Sequence, residues 1–347
     1  MKMTVLKAAF TALFVSAAVC LLTTQYWVRT VPAAVTTEPL GAGLDIPSIG
    51  LGTWLSNRST VAHAVEFALK SRYNHIDAAL IYKNEDEVGR GIRAANVPRH
   101  KFWVTSKLWN ADHRYMEAQT AIKKTIQDLG VEYLDLYLIH WPVAFVPDQG
   151  SRIDEDTTII DTWQVMENIA RSNLTRKIGI SNFSRRDVEK IMKICQICPY
   201  AHEFETHPYL QQQEFVDYHQ EIGVKVIAYS PLGNTNPTYE DSNKLEPILE
   251  DPFWAKLAEK KNATIAQTIL AWGHQRNTII IPKSVHEKHI KQNLGALNIS
   301  FTKSEMRHIA KQDKKARMNN PGREWGIKLF ADLDDPTRLG EDDGKEL

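Results

Sequence analysis

Residues 101–141 read KFWVTSKLWNADHRYMEAQTAIKKTIQDLGVEYLDLYLIHW, and they hold the pattern that decides the fold. The opening run Lys101–Leu108 and the closing run Tyr133–Trp141 are both rich in β-branched, aromatic and other apolar residues. Between them Met116, Ala118, Ala121, Ile122 and Ile126 recur at the spacing that gathers apolar side chains on one helical face. Two strands of this kind joined by a helix make a parallel pair covered on its faces, because a parallel crossover needs a helix-length connection.

The same unit repeats in both directions. Ile49–Trp54 and His75–Ala78 precede it, separated by the helical set Val61, Ala64, Val65 and Ala68. Lys177–Ser181, His202–His207, Val224–Ser230 and Thr278–Pro282 follow, which brings the strands to eight. Eight such units predict an α/β fold, a (β/α)8 TIM barrel, with an N-terminal hairpin over Leu40–Ile49 turning at Gly41 and Gly43 and an extended C-terminal loop. The 347 residues then divide into a leader, 1–35, the barrel, 36–330, and an acidic tail, 331–347.

Two motifs look functional until their context is read. Gly89-x-Gly91-x-x-Ala94 spells a dinucleotide fingerprint, but it falls inside the helical stretch Glu85–Ala95 instead of opening a helix directly after a strand. His202-Glu203-Phe204-Glu205-Thr206-His207 resembles a zinc-protease signature, yet its histidines are five apart on a strand and face opposite sides. No metal is expected.

Lys and Arg number 42 and Asp and Glu number 42, so net charge gives no reason to expect nucleic acid as a partner. Of three cysteines, Cys20 belongs to the leader, while Cys195 and Cys198 read as thiols, with a disulfide the outcome in an oxidising compartment. The leader carries Lys2 and Lys7 before the apolar run Ala8–Leu22, with Tyr26 and Trp27 beyond it. This predicts a cleaved signal peptide or an uncleaved anchor with a transmembrane helix over 8–28; the aromatic pair favours the anchor, and the protein is expected at a membrane or in the secretory pathway. The positive-inside rule turns the barrel to the lumen, where the sequons at Asn57, Asn173, Asn182, Asn262 and Asn298 would be open to glycosylation. A functional role for Asn182 that a glycan would block argues instead for a cytosol-facing barrel, so both orientations stay open. A closed barrel without coiled-coil or repeat segments is expected to act as a monomer.

Active residues of such barrels sit at the C-terminal ends of the strands, and the polar residues there are Asp77, Tyr82, Lys107, His140, Ser181, Asn182 and Glu203. The runs His75-Ile76-Asp77-Ala78-Ala79 with Tyr82, Val104-Thr105-Ser106-Lys107-Leu108-Trp109 and Leu138-Ile139-His140-Trp141-Pro142 resemble the active-site motifs of the aldo-keto reductase family. The resemblance covers residues 40–330 and continues through Ser181-Asn182-Phe183, His207-Pro208, Ala228-Tyr229-Ser230-Pro231-Leu232-Gly233 and Ile281-Pro282-Lys283-Ser284.

It implies reduction of an aldehyde or ketone to the alcohol with NADPH, or with NADH. Tyr82 would be the proton donor, Lys107 would lower its pKa from the ordinary ~10, Asp77 would hold Lys107, and neutral His140 would orient the substrate oxygen. Gly52, Thr53, Trp54, Asp77, Ser181, Asn182, Glu203, Tyr229, Ser230, Leu232, Lys283, Ser284, Val285, His289 and Asn293 are the implied cofactor contacts, with Tyr229 under the nicotinamide. Trp54, Trp109, His140 and Trp141 would wall the substrate pocket; Arg323, Trp325 and Phe330 of the C-terminal segment Asn319–Leu347 are further candidates.

The chain departs from the family pattern at three places. Glu203 stands where the family has glutamine, and an ionised carboxylate cannot donate. His289 stands for an arginine on the phosphate, and Gln292 for a glutamate near the adenine. Histidine, with pKa ~6.5, is charged only part of the time, which weakens the case for NADPH over NADH. The contrasting reading is a non-catalytic or regulatory protein that binds the nicotinamide cofactor on the same barrel.

Overall fold

In the computed structural model, which describes residues 45–233, 245–330 and Leu333, parallel strands run in chain order around one sheet. They are β1 (Leu51–Gly52), β2 (His75–Asp77), β3 (Trp103–Leu108), β4 (Leu134–Ile139), β5 (Thr175–Ser181), β6 (Ala201–Glu205), β7 (Lys225–Tyr229) and β8 (Ile279–Ile280). Parallel bridges from Ile49 to Ile280 and from Gly52 to Lys283 join the last strand to the first. Hydrogen bonds from Gly50 N to Ile280 O at 2.9 Å and from Gly52 N to Pro282 O at 3.2 Å complete the seam, so the sheet is a closed barrel. All eight expected strands are present; β5 and β6 begin before the expected Lys177 and His202, β6 ends before His207, and the others are shortened at one or both ends.

The helices α1 (Arg58–Lys70), α2 (Glu85–Ala95), α3 (Tyr115–Leu129), α4 (Ile159–Arg171), α5 (Arg185–Ile194), α6 (Gln213–Glu221), α7 (Pro252–Lys261), α8 (Ile265–Gln275), α9 (Glu287–Asn293) and α10 (Lys303–Ala310) alternate with the strands or close the last crossovers. Their starts follow from local chemistry. Thr158 and Asp161, Thr264 and Gln267, and Thr302 and Glu305 form reciprocal capping boxes that satisfy amide groups otherwise orphaned in the first turn. The fingerprint-like glycines lie within α2, where a Cβ on Gly91 would overlap Ala62 O of α1. They allow close helix packing, not phosphate binding.

Period-two alternation divides each strand between two cores. On β4, Leu136 and Leu138 belong to the barrel interior with Trp103, Ala201, Ile227 and Ile281, while Tyr137 and Ile139 pack outward against the helices. On β3 the inward column runs from apolar to charged: Trp103, then Thr105, which accepts from Trp103 Nε1 at 3.0 Å, then Lys107. On β3 the C-terminal mouth therefore receives the charged end of the column.

Two expectations change, at residues 45–49 and at the cysteine pair, and others fall outside the described residues. Residues 1–44 lie outside the described residues, and with them the leader, the 8–28 helix and most of the hairpin; from Asp45 to Ile49 the chain forms no named strand and joins the barrel in parallel. No helix among the described residues is long and apolar enough to cross a membrane. Cys195 and Cys198 are bonded to each other, against the thiol reading. The cause is local: Gln196 N and Ile197 N both donate to Glu167 Oε1, at 2.6 and 2.9 Å, folding the turn so that the two Cα atoms stand 5.0 Å apart. The acidic tail, apart from Leu333, is also outside the described residues.

Candidate functional site

The barrel mouth opens into a cavity of about 890 Å³. Asp77 reaches it from the end of β2, Tyr82 from a single 3-10 turn, Leu80–Tyr82, just beyond, His140 from the end of β4, and Glu203 from β6. Lys107 lies beneath, wholly buried, with Nζ 2.6 Å from Asp77 Oδ1, 3.1 Å from Ala78 O and 3.3 Å from Glu203 Oε1. Its ammonium stands 5.3 Å from the centre of the Tyr82 ring. The four residues of the expected tetrad thus come together from three stretches of the chain: Asp77 and Tyr82 on and just after β2, Lys107 on β3 and His140 after β4.

Their charge states follow from burial against neighbours. Burial opposes the charge on Lys107, but Asp77 and Glu203 outweigh it and hold the lysine protonated, above its ordinary value. His140 is kept neutral by burial first, then by the positive potential of Lys107 and by His113. Tyr82 departs from expectation: burial raises its pKa, Asp77 and Glu203 add to the rise, and the pull of Lys107 does not overcome them. The phenol therefore keeps its proton. Glu203 is likewise pushed well above the usual carboxylate range by burial and by Asp77, against the opposing pull of Lys107. In its protonated form a carboxyl at this position keeps a hydrogen-bond donor, as the family's glutamine does.

Gly52, Trp54, Ser181, Asn182, Tyr229, Ser230, Leu232 and Lys283 line the same cavity. Asn182 is fixed on three sides: Nδ2 donates to His140 O at 2.9 Å and to Ser181 Oγ at 3.0 Å, and Oδ1 accepts from the Tyr229 hydroxyl at 2.7 Å. With Asn182 2% exposed, a glycan on its nitrogen is incompatible with this native arrangement. Thr53 does not line the cavity; it is buried, and its N and Oγ1 donate to Asp77 O at 3.1 and 2.8 Å, locking the end of β2. Ser284, Val285, His289 and Asn293 lie outside the cavity lining, on and before α9; His289 is exposed, its ring 5.4 Å from that of His286.

Aromatic rings wall the other side. Trp109 and Trp141 line the cavity with Trp325, which stands 6.3 Å from Trp109, 5.2 Å from Trp141 and 5.1 Å from Phe145. Phe330 packs behind, 6.2 Å from Trp141, and does not line the cavity.

A family profile described as "Aldo/keto reductase family" matches residues 48–314. The chain belongs to the aldo/keto reductase family. An uncharacterized oxidoreductase of Schizosaccharomyces pombe is 42% identical over 290 residues, covering 81% of this chain and 89% of that protein. An Aldo/keto reductase of Synechocystis is 40% identical over 291 residues, 80% and 89% of the two chains. Aldo-keto reductase family 1 member A1 of Homo sapiens is 38% identical over 292 residues, again 80% and 89%. At the level of the family this makes the protein an oxidoreductase of carbonyl compounds, from a group that uses nicotinamide cofactors.

Several residues that shape this aldo/keto reductase site carry no sequence signal. Asn84 is buried and donates to Thr53 O at 3.0 Å and Ser56 O at 3.2 Å, holding the loop that presents Trp54. Glu205 anchors the C-terminal segment: its carboxylate accepts from His207 Nε2 at 2.8 Å, Met318 N at 2.9 Å and Asn319 N at 2.9 Å. Met318 and Asn319 line the cavity, so this clamp sets part of its wall.

Burial works against the charge of Glu205, but His207, Arg317 and the backbone donors prevail and hold its pKa below the ordinary value. Stability from a depressed carboxyl is present above the unfolded value and lost as pH falls through the folded one. Glu205→Gln removes the charge at constant size. We expect amide exchange over 314–330 to quicken roughly tenfold or more at neutral pH, from the ~1.5–3 kcal/mol of hydrogen bonds to a charged group. Exchange equal to the wild type's would show that the tail is held elsewhere.

Proposed function

We propose that the protein reduces an aldehyde or ketone to the alcohol with NADPH, Tyr82 delivering the proton. The observation that carries this reading is the joint placement of Tyr82, His140 and the Asp77–Lys107 pair around one cavity walled by tryptophans. The residues present also suit a nicotinamide group. Ser181, Asn182 and Glu203 place polar atoms at the mouth, and Tyr229 offers an aromatic face.

When bound, the reduced nicotinamide supplies hydride to the carbonyl carbon. The chain's own groups do the rest. Neutral His140 hydrogen-bonds the carbonyl oxygen and fixes its direction, and Trp54, Trp109, Trp141 and Trp325 exclude water. The proton on Tyr82 Oη passes to the developing alkoxide, and the Lys107 ammonium offsets the phenolate charge left behind.

Full-length protein offered a panel of aldehydes and ketones should oxidise NADPH in step with alcohol formation. A folded chain that binds the cofactor but turns over nothing would instead favour the non-catalytic, cofactor-binding reading. The phosphate side makes a separate prediction: His289→Arg, which puts a permanent planar cation on α9, tightens NADPH relative to NADH by about tenfold, consistent with a charge-assisted hydrogen bond of roughly 1.5–3 kcal/mol. An unchanged ratio would mean that this flank of α9 does not meet the 2′-phosphate.

A further inference from the structure

The surroundings of Lys107 contain one carboxyl group more than its charge requires. Asp77 from β2 and Glu203 from β6 are each 2% exposed, and each gives one oxygen to the ammonium, at 2.6 and 3.3 Å. Their other oxygens, Asp77 Oδ2 and Glu203 Oε2, are buried and without a hydrogen-bond partner, although the two side chains are close enough to pair with each other. Two bare carboxylates cannot satisfy one another, since neither can donate. Two ionised carboxyls against one ammonium would also leave a net negative charge in a water-poor site. A single proton resolves both problems, giving an O–H···O bond between the orphan oxygens and a neutral cluster.

We propose that Asp77 and Glu203 share one proton, that this monoprotonated pair grips Lys107, and that Glu203 is thereby a positioning residue for the proton donor Tyr82. Other titratable groups facing the cluster are accounted for. His75, below Lys107, is held neutral by burial, its pKa driven down to about 3, and His140 is neutral for the same reason. Tyr82 keeps its proton. Tyr229 donates to Asn182, and Lys283 sits exposed at the rim. Burial, together with the charge of Asp77, keeps Glu203 in its acid form where an ordinary glutamate is ionised. At sufficiently alkaline pH the shared proton leaves, the cluster gains a negative charge, and Tyr82 becomes a weaker acid because its phenolate is then opposed.

The catalytic part rests on the proposed reductase reading; the shared proton does not, and the two are tested separately. Infrared spectra of the full-length protein without cofactor, at roughly pH 8 where unperturbed carboxyls of pKa ~4 are ionised, should show a protonated-acid carbonyl band in the difference between wild type and Glu203→Gln. Glu85, a second buried acid pushed up to about 7, cancels in that difference. Asp77→Asn should also remove the band, because one carboxylate against one ammonium needs no proton, and this variant serves if Glu203→Gln does not fold. Absence of the band in the wild type, or its survival in Asp77→Asn, overturns the shared proton.

For the positioning role, kcat for reduction should fall about tenfold per pH unit above the proton's release in the wild type, and that step should vanish in Glu203→Gln, which has no such proton to lose. An identical pH step in both proteins overturns it. If no carbonyl is turned over, the reductase reading and the positioning role fail together, while the infrared result still decides the pair.

Discussion

Tyr82→Phe should lower carbonyl reduction by roughly 10²–10⁴-fold, the usual contribution of a positioned general acid, while the affinity for NADPH changes little. The substitution removes only the hydroxyl. The ring keeps its neighbours, with its centre 6.4 Å from Trp54 and 5.7 Å from His140, so neither the 3-10 turn nor the cavity wall loses packing. The pH dependence has a definite sign. Burial, reinforced by Asp77 and Glu203, raises the Tyr82 pKa despite Lys107, so the donor stays loaded throughout the neutral range. Reduction by the wild type should therefore show no loss from Tyr82 ionisation below its ordinary pKa of ~10. Steady-state reduction with cofactor titrated by protein fluorescence checks both halves; turnover by Tyr82→Phe near that of the wild type would remove Tyr82 from the mechanism.

That result would also locate the limit of what the sequence discloses. The strands and the tetrad were legible because they depend on local pattern: the inward column of β3 runs Trp103, Thr105, Lys107, and period two alone puts Lys107 at the mouth with Asp77 and Glu203 on their own columns. The sign of the Tyr82 shift was not legible. It is a balance between desolvation and three charges whose distances no spacing rule supplies, and the intuitive pairing with Lys107 loses to burial. The direction of the Glu203 shift was hidden for the same reason, since it is set by burial and by Asp77 against the pull of Lys107. Asn84 and Glu205 were invisible for a different one. Each acts on backbone atoms, Asn84 on Thr53 and Ser56 and Glu205 on Met318 and Asn319, the latter more than a hundred residues away, and backbone partners leave no mark in composition. The Cys195–Cys198 bond, left as the lesser alternative, was not legible because it depends on a turn shaped by Glu167 of a neighbouring helix.

Lys107→Met should have the larger effect on folding, and its pH dependence separates structural from chemical roles. The side chain is 0% exposed and is the cation that pairs with the Asp77 carboxylate, Nζ to Oδ1 at 2.6 Å. Methionine fills the same volume but leaves Asp77 buried and unpaired beside Glu203, which is already neutral. Breaking a buried pair from one side typically costs about 3–5 kcal/mol. Asp77 can escape that cost only by taking up a proton, which raises its folded pKa in the variant. Stability from a raised pKa is present at acid pH and lost as pH rises, so the deficit against the wild type should be small near pH 5 and grow toward pH 8. Adding Asp77→Asn removes the stranded charge and should recover most of the denaturation midpoint at pH 8. Catalysis should not return with it, because no cation remains to offset the phenolate on Tyr82. A double variant that regains both stability and turnover would show that Lys107 serves the fold alone, and one that regains neither would show that the pocket depends on the ion pair's geometry more than on its charge balance.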